Sequence, residues 1–198
     1  MSNLVKSSYG VSTLDYSDIF KVLIGVVGPR KIVEFGILEG YSLQLFALHA
    51  SSCEIIAYDI FDKFDGNHAN SNIVDKFKKF NNVSIIMGDF YDKLKEFPDE
   101  SIDIMHIDIA NTGDVYEYAI DHGLSKITCG GIMILEGGSK ERDLVDWMIK
   151  YNKKPIYPYI DKLNESILVK QKYINIVRLD KFPSMTIIKK LKHYNFYN

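Results

Sequence analysis

Five acidic side chains follow short apolar segments of the chain, and they are the groups best suited to bind or react with a ligand. They are Glu34, Asp59, Asp89, Asp108 and Glu136. Carboxylates accept hydrogen bonds from hydroxyl and amino groups, act as general bases and bind hard cations. A single acid in such a place often only caps a helix or begins a loop. Five at matching places predict one shared site.

A glycine-containing turn accompanies the first acid, in the segment 33–42, VEFGILEGYS. Gly36 permits a tight turn and close approach of a ligand to the backbone. Gly40 opens the next helix, whose free amides favour an anion. The G-x-x-x-G spacing differs from the G-x-G-x-x-G of dinucleotide sites, and no P-loop Gly-Lys-Ser/Thr follows. The alternative is that both glycines serve only the turn.

The position of Asp59 points to an adenosine-containing ligand. Asp59 stands 19 residues after Gly40. In adenosine-binding sheets an acid about 20 residues beyond the glycine turn accepts hydrogen bonds from the ribose hydroxyls. Asp62 is the alternative if the strand ends later.

The elements that must position these residues alternate between strands and helices. Five apolar runs have the length and composition of strands: 31–35, 54–58, 83–87, 102–107 and 132–135. Segments 15–27, 42–50, 73–80 and 115–127 have helical spacing, the last with Asp114 as its N-cap. Runs without strict alternation indicate strands buried on both faces of a parallel sheet. The carboxyl ends of such strands share one edge, where ligands bind.

The C-terminal part follows a different pattern. We expect a helix over 140–151 and, because of Pro155 and Pro158, at best an edge strand over 154–160. Segments 166–169 and 173–179 predict a late hairpin.

Four motifs within about residues 20–140 resemble, in order and spacing, those of class I S-adenosylmethionine-dependent methyltransferases. The motifs are Glu34-x-Gly36-x-x-x-Gly40, Asp59, Gly88-Asp89-Phe90 and Asp108. The resemblance implies an α/β fold: a doubly wound, mostly parallel seven-stranded sheet with helices on both faces and an antiparallel last strand. We expect a single domain over 1–198, with an N-terminal cap segment and helix (1–28), a cofactor-binding core (29–140), and a C-terminal helix and edge strands (141–198).

The same resemblance implies S-adenosylmethionine as cofactor, S-adenosylhomocysteine as its product, and a role for each motif. The implied cofactor residues are Glu34, Gly36 and Gly40 at the methionine end, Asp59 at the ribose, Asp89 at the adenine amino group and Phe90 against the adenine ring. Ser42, at the start of the helix after the glycine turn, is a further predicted cofactor residue.

A narrower similarity concerns segments 106–112 (HIDIANT) and 130–136 (GGIMILE). They resemble the corresponding segments of small-molecule O-methyltransferases and of the cephalosporin-hydroxylase-like branch. Some members bind a divalent cation through acids after the fourth and fifth strands. This implies Asp108 and Glu136 as ligands of Mg²⁺ or a similar cation. Ala110 and Gly137 depart from the family, because further acids often stand there, and Asn111 is the remaining ligand candidate.

Methyl transfer to a hydroxyl group requires a base for the hydroxyl proton. Asp108 is the first choice as base, metal ligand or acceptor-orienting group. His106, on the same strand face, would orient Asp108 or the acceptor, or serve only as a core histidine. His68, in the polar segment 61–72, would act as base from a lid, or be an exposed loop histidine.

Composition and charge limit the kinds of partner that the protein is expected to bind. The chain has 198 residues, two cysteines without a CxxC pairing and a net charge of −2. Residues 170–198 carry seven Lys or Arg against one acid, which leaves −8 on the first 169 residues. The acidic majority argues against general nucleic-acid binding. No apolar run approaches the ~18 residues of a membrane span, and no secretory signal is visible, which predicts a cytoplasmic protein.

The sequence therefore predicts methylation of a small molecule, at a hydroxyl in preference to an amine, with a sugar or natural-product intermediate as an example. Three alternatives stay open: a non-catalytic protein that binds the cofactor, an oxidoreductase of the same architecture, and a nucleic-acid methyltransferase that uses the Lys-rich C-terminal region. That region could also pair two subunits as a homodimer.

Overall fold

The computed structural model describes residues 16–61, 72–181 and 184–193, and its framework is a seven-stranded sheet. The strands are β1 (Lys31–Phe35), β2 (Glu54–Asp59), β3 (Val83–Met87), β4 (Ile102–Ile107), β5 (Ile127–Glu136), β6 (Ile174–Leu179) and β7 (Met185–Lys190). Their spatial order is β3-β2-β1-β4-β5-β7-β6. The first five are parallel, and β7 lies antiparallel between β5 and β6. This confirms the predicted sheet.

Helices cover both faces of the sheet. They are α1 (Tyr16–Val27), α2 (Tyr41–His49), α3 (Ile73–Phe77), α4 (Phe90–Glu96), α5 (Gly113–Gly123), α6 (Lys140–Asp143), α7 (Asp146–Lys150), α8 (Tyr157–Asn164) and α9 (Ile167–Lys170). Side chains of α1, α2 and α3 form one apolar cluster with the sheet. Those of α4, α5 and α8 form another. The central strands supply both clusters, which explains why they lack strict alternation.

The strand order reverses at β1, whose two neighbours are β2 and β4. The chain runs from β1 to β2 and β3 on one side and then crosses from β3 to β4 on the other side, so a crevice opens there beyond the carboxyl ends of the strands. The register aligns Phe35 with Ile107, and Ile107 with Leu135. The residues that follow these strands therefore come together at one edge.

Several predictions for the N-terminal two thirds need adjustment. The helix predicted over 115–127 ends at Gly123, because β5 already begins at Ile127. Its N-cap is Thr112, and Asp114 lies in the first turn. Helix α4 was not predicted; Asp89 caps it by accepting a hydrogen bond from the amide of Tyr91.

The predictions for the C-terminal part were wrong in three places. The helix expected over 140–151 is interrupted, giving α6 and α7. Segment 154–160 is no edge strand, because Pro158 lies in the first turn of α8, where its missing N–H costs nothing. Segment 166–169 overlaps the short helix α9 instead of a strand, so the hairpin joins β6 to β7.

Among the described residues, no helix combines the length and the apolar character needed to cross a membrane.

Candidate active site

The acids that follow β4 and end β5 lie side by side. The carboxyl group of Asp108 is within hydrogen-bonding reach of that of Glu136, and the charge of Glu34 acts on it as well. Burial, followed by the repulsion from Glu136, raises the pKa of Asp108 well above its ordinary value. Glu136 is buried, and its Oε1 has no hydrogen-bond partner in the described part of the chain. The raised pKa makes Asp108 a stronger base than an exposed carboxylate.

Gly36 brings the turn after β1 against the end of β4. Its φ is +91°, and a Cβ built there would lie 2.1 Å from the carbonyl oxygen of Asp108. The amide of Asp108 also donates to the carbonyl of Phe35 over 2.9 Å. Glycine is thus required by the protein's own packing, and its effect is to fix the backbone of Asp108 beside the turn.

The need for glycine at position 40 also has a direct structural reason. It precedes α2 with a left-handed backbone, φ 78° and ψ 32°. A Cβ at this position would lie 2.7 Å from the ring of Phe77 on α3. The G-x-x-x-G spacing therefore reports the shape of the turn, and both glycines hold the turn residues at the carboxyl end of the sheet.

Glu34 is completely buried beneath this turn. Its Oε1 accepts a hydrogen bond from the hydroxyl of Ser42 on α2 and lies 2.8 Å from Nδ1 of His106. Its Oε2 has no hydrogen-bond partner among the residues that the structure describes. Two predicted cofactor residues, Glu34 and Ser42, are therefore bonded directly to each other.

His106 belongs to this buried group and not to the acid pair. Its ring packs edge-on against Phe20 and Phe46, with ring centroids 5.3 and 5.9 Å away. Only 3% of its surface is exposed, and its Nδ1 faces Glu34. The geometry matches the core-histidine alternative.

Asp59 ties the end of β2 to the glycine turn. One carboxylate oxygen accepts from the amide of Ile37 over 2.9 Å and the other from the amide of Phe61 over 2.8 Å. Gly36 and Asp59 are thus on the same side of the molecule, as an adenosine site requires.

Asp89 and Phe90 follow β3 as predicted but face different surroundings. Asp89 is exposed and caps α4. Phe90 is buried, with its ring 5.0 Å from that of Phe35 and 5.7 Å from that of Tyr118. Both positions have a structural explanation, and their contact with an adenine stays a prediction.

Sequence reasoning missed Tyr116 of α5, whose hydroxyl contacts residues that follow β4 and end β5. Its hydroxyl contacts the amide oxygen of Asn111 and the backbone carbonyl of Glu136. The Asn111 amide nitrogen lies 3.5 Å from Oδ1 of Asp108. A fully buried tyrosine on a helix gives no signal in the sequence that separates it from ordinary core residues.

The donor set does not fit a cation held by the protein alone. Asp108 and Glu136 supply two carboxylates, and the amide oxygen of Asn111 is engaged by Tyr116. In the described ranges, no three His, Cys, Asp or Glu side chains are grouped so that they could hold a metal ion. Ala110 and Gly137 stand where members of the family often carry further acids, and without those acids the two carboxylates lack additional charged ligands for a cation.

Two basic residues that contact the segments after β4 and β5 were also missed. Arg142, 1% exposed, places its guanidinium 4.5 Å from the ring centre of Trp147. Lys153 lies over the same ring at 4.5 Å and donates to the carbonyl of Ala110 over 2.5 Å. The sequence shows these residues only as ordinary charges, Arg142 within the predicted helix over 140–151 and Lys153 just after it.

His68, Asp62 and most of the predicted lid segment 61–72 lie outside the described residues.

The residues present fit an adenosyl sulfonium with an amino-acid end. Such a ligand brings hydroxyl groups and an ammonium, which are donors. The site offers carboxylate acceptors on one side of the sheet edge, and the buried Oε1 of Glu136 lacks a protein donor within the described chain. Ionised carboxylates can only accept hydrogen bonds, so buried ones need donors such as hydroxyl or ammonium groups.

Comparison with known proteins agrees with this geometry. A family model described as "Methyltransferase domain" matches residues 33–136, which run from β1 to the end of β5 and include all five acids. No curated protein matches the sequence.

Solved structures share the fold. The O-methyltransferase from Bacillus cereus, solved with S-adenosylhomocysteine, is 18% identical with a TM-score of 0.63, over 93% of this chain and 84% of that one. A methyltransferase from Podospora anserina, also solved with S-adenosylhomocysteine, is 18% identical with a TM-score of 0.58, over 89% and 78%. A "putative rRNA-methylase" from Clostridium thermocellum is 16% identical with a TM-score of 0.65, over 96% and 99%.

Proposed function

Because the chain belongs to the methyltransferase-domain family, we propose that it transfers the methyl group of S-adenosylmethionine to a hydroxyl group of a small molecule. The observation that carries the proposal is the carboxyl pair Asp108–Glu136, placed by the Gly36 turn at the edge where Asp59 also lies.

The cofactor supplies an electrophilic methyl group on a sulfonium. We assign its ribose hydroxyls to Asp59, whose carboxylate is fixed at the end of β2, beside the glycine turn, by its bonds to the amides of Ile37 and Phe61. We assign its methionine end to the turn around Gly36, Gly40 and Ser42, with Glu34 behind them. Asp89 and Phe90 would meet the adenine.

The carboxyl pair suits an acceptor that must lose a proton. As the acceptor oxygen forms its bond to the methyl carbon, the carbon–sulfur bond breaks and the hydroxyl proton passes to a carboxylate. A carboxylate with a raised pKa is a stronger base than an exposed one, and Asp108 is such a group. We therefore assign proton acceptance to Asp108 and its orientation to Glu136 and Asn111. His106 has a different place, behind Glu34, and His68 stays an alternative base.

A small acceptor is favoured over a nucleic acid because two of the basic C-terminal residues, Arg178 and Lys190, are paired with acids within the fold. Lys190 is buried and lies 3.1 Å from Glu100. Arg178 forms ion pairs with Asp161 and Asp180. Charges neutralised in this way are not available to a phosphate backbone, whose binding depends on free Lys and Arg.

Binding of S-adenosylhomocysteine tests the cofactor assignment. At 100 times its dissociation constant a ligand stabilises by ~2.7 kcal/mol, which is roughly 5–10 °C in melting temperature for a chain of this size. We expect this shift with S-adenosylhomocysteine and none with NAD. The opposite result would replace methyl transfer with the oxidoreductase alternative.

Acceptor class is tested by mass spectrometry of products. We expect methylated products from a panel of hydroxylated small molecules and none from RNA or DNA. Methylation confined to nucleic acid would refute the small-molecule assignment, and cofactor binding with no product from either class would favour a non-catalytic role.

A further inference from the structure

Helix α1 carries apolar residues on both of its faces. The inner face is accounted for, because Phe20 and Ile24 are buried in the apolar cluster that α1 forms with the sheet. The outer face presents Val22 and Val26, which are 61% and 69% exposed. A surface helix of a globular protein normally keeps charged and polar residues on that face, so the outer face of α1 needs a separate explanation.

Gly25 belongs to the same outer face. It is exposed and stands three residues after Val22, and this spacing places both on one side of the helix. A Cβ built on Gly25 would have no atom within 4 Å, so no neighbour in the described chain requires glycine there. Glycine inside a helix is less favourable than alanine. Two helices approach each other more closely where the side chains at the contact are small, which gives Gly25 a purpose in an interface.

The ends of this face carry opposite charges. Asp18 lies in the first turn of α1, and Arg30 follows the last residue of the helix by three positions. Both side chains are exposed, and neither forms an ion pair within the residues that the structure describes. The charge of Arg30 acts on Asp103, but the carboxylate of Asp103 is bonded to the backbone amide of Arg30 over 2.9 Å.

We propose that the outer face of α1 packs against the same face of a second copy of this chain, with the two helices antiparallel. A two-fold axis between Val22 and Gly25 places Val22 of one protomer on Gly25 of the partner subunit, and the reverse contact forms at the same time. The same rotation brings Asp18 to the end of the partner's helix, beside Arg30 of the partner subunit. An interface between identical faces must be self-complementary in this way.

The charge pattern selects a second copy as the occupant of this face. An acid at one end and a base at the other end complement each other when two such helices run in opposite directions. The interface would then hold two Asp18–Arg30 pairs around an apolar centre of Val22, Gly25 and Val26. An apolar centre with a polar rim is the usual build of a protein interface. One helix face is a small area, so we expect a reversible dimer that dissociates on dilution.

Sedimentation velocity of the full-length protein over a concentration series tests the association. We expect a monomer–dimer equilibrium that favours the dimer at about 0.5 mM, where even a Kd of ~100 µM gives mostly dimer. Val22→Glu places charges in the apolar centre and should leave the protein monomeric throughout the series. Val177→Glu, at a 46% exposed valine of β6, is the matched control and should dimerise as the wild type does.

Charge reversal tests the antiparallel orientation. Asp18→Arg gives a face with a base at both ends, and Arg30→Asp gives one with an acid at both ends. Each variant alone should dimerise roughly tenfold more weakly than the wild type, because like charges then meet across the axis. An equal mixture of the two should form a heterodimer in which both pairs are again of opposite sign. Single variants that dimerise as well as the wild type would contradict the antiparallel arrangement.

The proposal is overturned if the wild type stays monomeric at the highest of these concentrations, or if Val22→Glu dimerises as the wild type does. A dimer lost in Val177→Glu and kept in Val22→Glu would place the contact at the β6 edge, near the Lys-rich C-terminal region, and would equally overturn it. A monomeric wild type that is destabilised by Val22→Glu would show that the face is covered within one chain. These outcomes are independent of methyl transfer, which the binding of S-adenosylhomocysteine tests separately.

Discussion

Glu34 of β1 and His106 of β4 are cross-strand partners, and Oε1 of Glu34 lies 2.8 Å from Nδ1 of His106. Both side chains are buried between the sheet and the helices α1 and α2. This bond, together with that from Ser42, holds the carboxylate directly beneath the glycine turn. The strand pairing thus places a polar group in an apolar layer, where loss of a partner is costly.

Replacing His106 should therefore cost stability. We expect His106→Leu to lower the free energy of unfolding by about 2 kcal/mol, because the Glu34 carboxylate loses a buried partner. Urea denaturation measures the change. His122→Leu, at an exposed histidine of α5, should stay within about 0.5 kcal/mol. Equal effects of the two substitutions would show that the Glu34–His106 bond contributes nothing measurable.

Gly36 should tolerate no side chain. Gly36→Ala would place a Cβ 2.1 Å from the carbonyl oxygen of Asp108 at a φ of +91°. We expect a loss of about 3 kcal/mol in the free energy of unfolding, from overpacking added to backbone strain. Gly130→Ala is a matched control, because its φ is +90° with no atom within 4 Å. The control should cost about 1–2 kcal/mol, and a Gly36→Ala loss no larger would contradict the close contact.

Asp108 should make stability depend on pH. Its pKa in the folded protein is raised above the ordinary value of 3.8, so between these two values the folded state binds more protons than the unfolded state. Stability falls as pH rises through that window. Asp108→Asn removes this loss. The variant's stability advantage over the wild type should grow from pH 4 upward.

Urea denaturation at several pH values measures this effect, with Asp92→Asn, at an exposed acid of α4, as control. A difference between Asp108→Asn and wild type that stays constant with pH would contradict the raised pKa. The same Asp108→Asn protein should lose methyl transfer by a factor of roughly 10²–10⁴, the usual contribution of a general base, while its melting shift with S-adenosylhomocysteine persists.

Asp59 should govern the ribose end of the cofactor. Asp59→Asn replaces one acceptor oxygen by an NH₂ group, which cannot accept from a hydroxyl or from the amides of Ile37 and Phe61. We expect the melting shift with S-adenosylhomocysteine to disappear. Asp75→Asn, at an exposed acid of α3, should keep the full shift. A full shift in Asp59→Asn would mean that the ribose lies elsewhere.

The parallel core could be predicted from the sequence because its signals are local. Runs of Ile and Val bounded by turn residues marked β1 to β4 within one residue at each end. Of the five acids predicted to share one site, Asp108 and Glu136 lie next to each other in the structure. That outcome follows from the topology, since parallel neighbouring strands end at the same edge.

The C-terminal part and the basic residues depended on contacts that the sequence does not show. Pro158 argues against a strand interior but equally permits the first turn of a helix, and tertiary packing decides between them. Strand β7 is defined by pairing with β5 and β6. The burial of Arg142 likewise depends on a tertiary contact, that of its guanidinium on α6 with the ring of Trp147 on α7.

Of the seven strands that the structure describes, β7 comes last in sequence, yet it lies between two others. Until residues 185–190 have left the ribosome, β5 has one unpaired edge and β6 has no neighbour to join it to the sheet. An open apolar edge invites pairing with other chains. Nascent chains that stop before residue 185 are therefore expected to aggregate, and the completed sheet becomes available only when synthesis of this segment is finished.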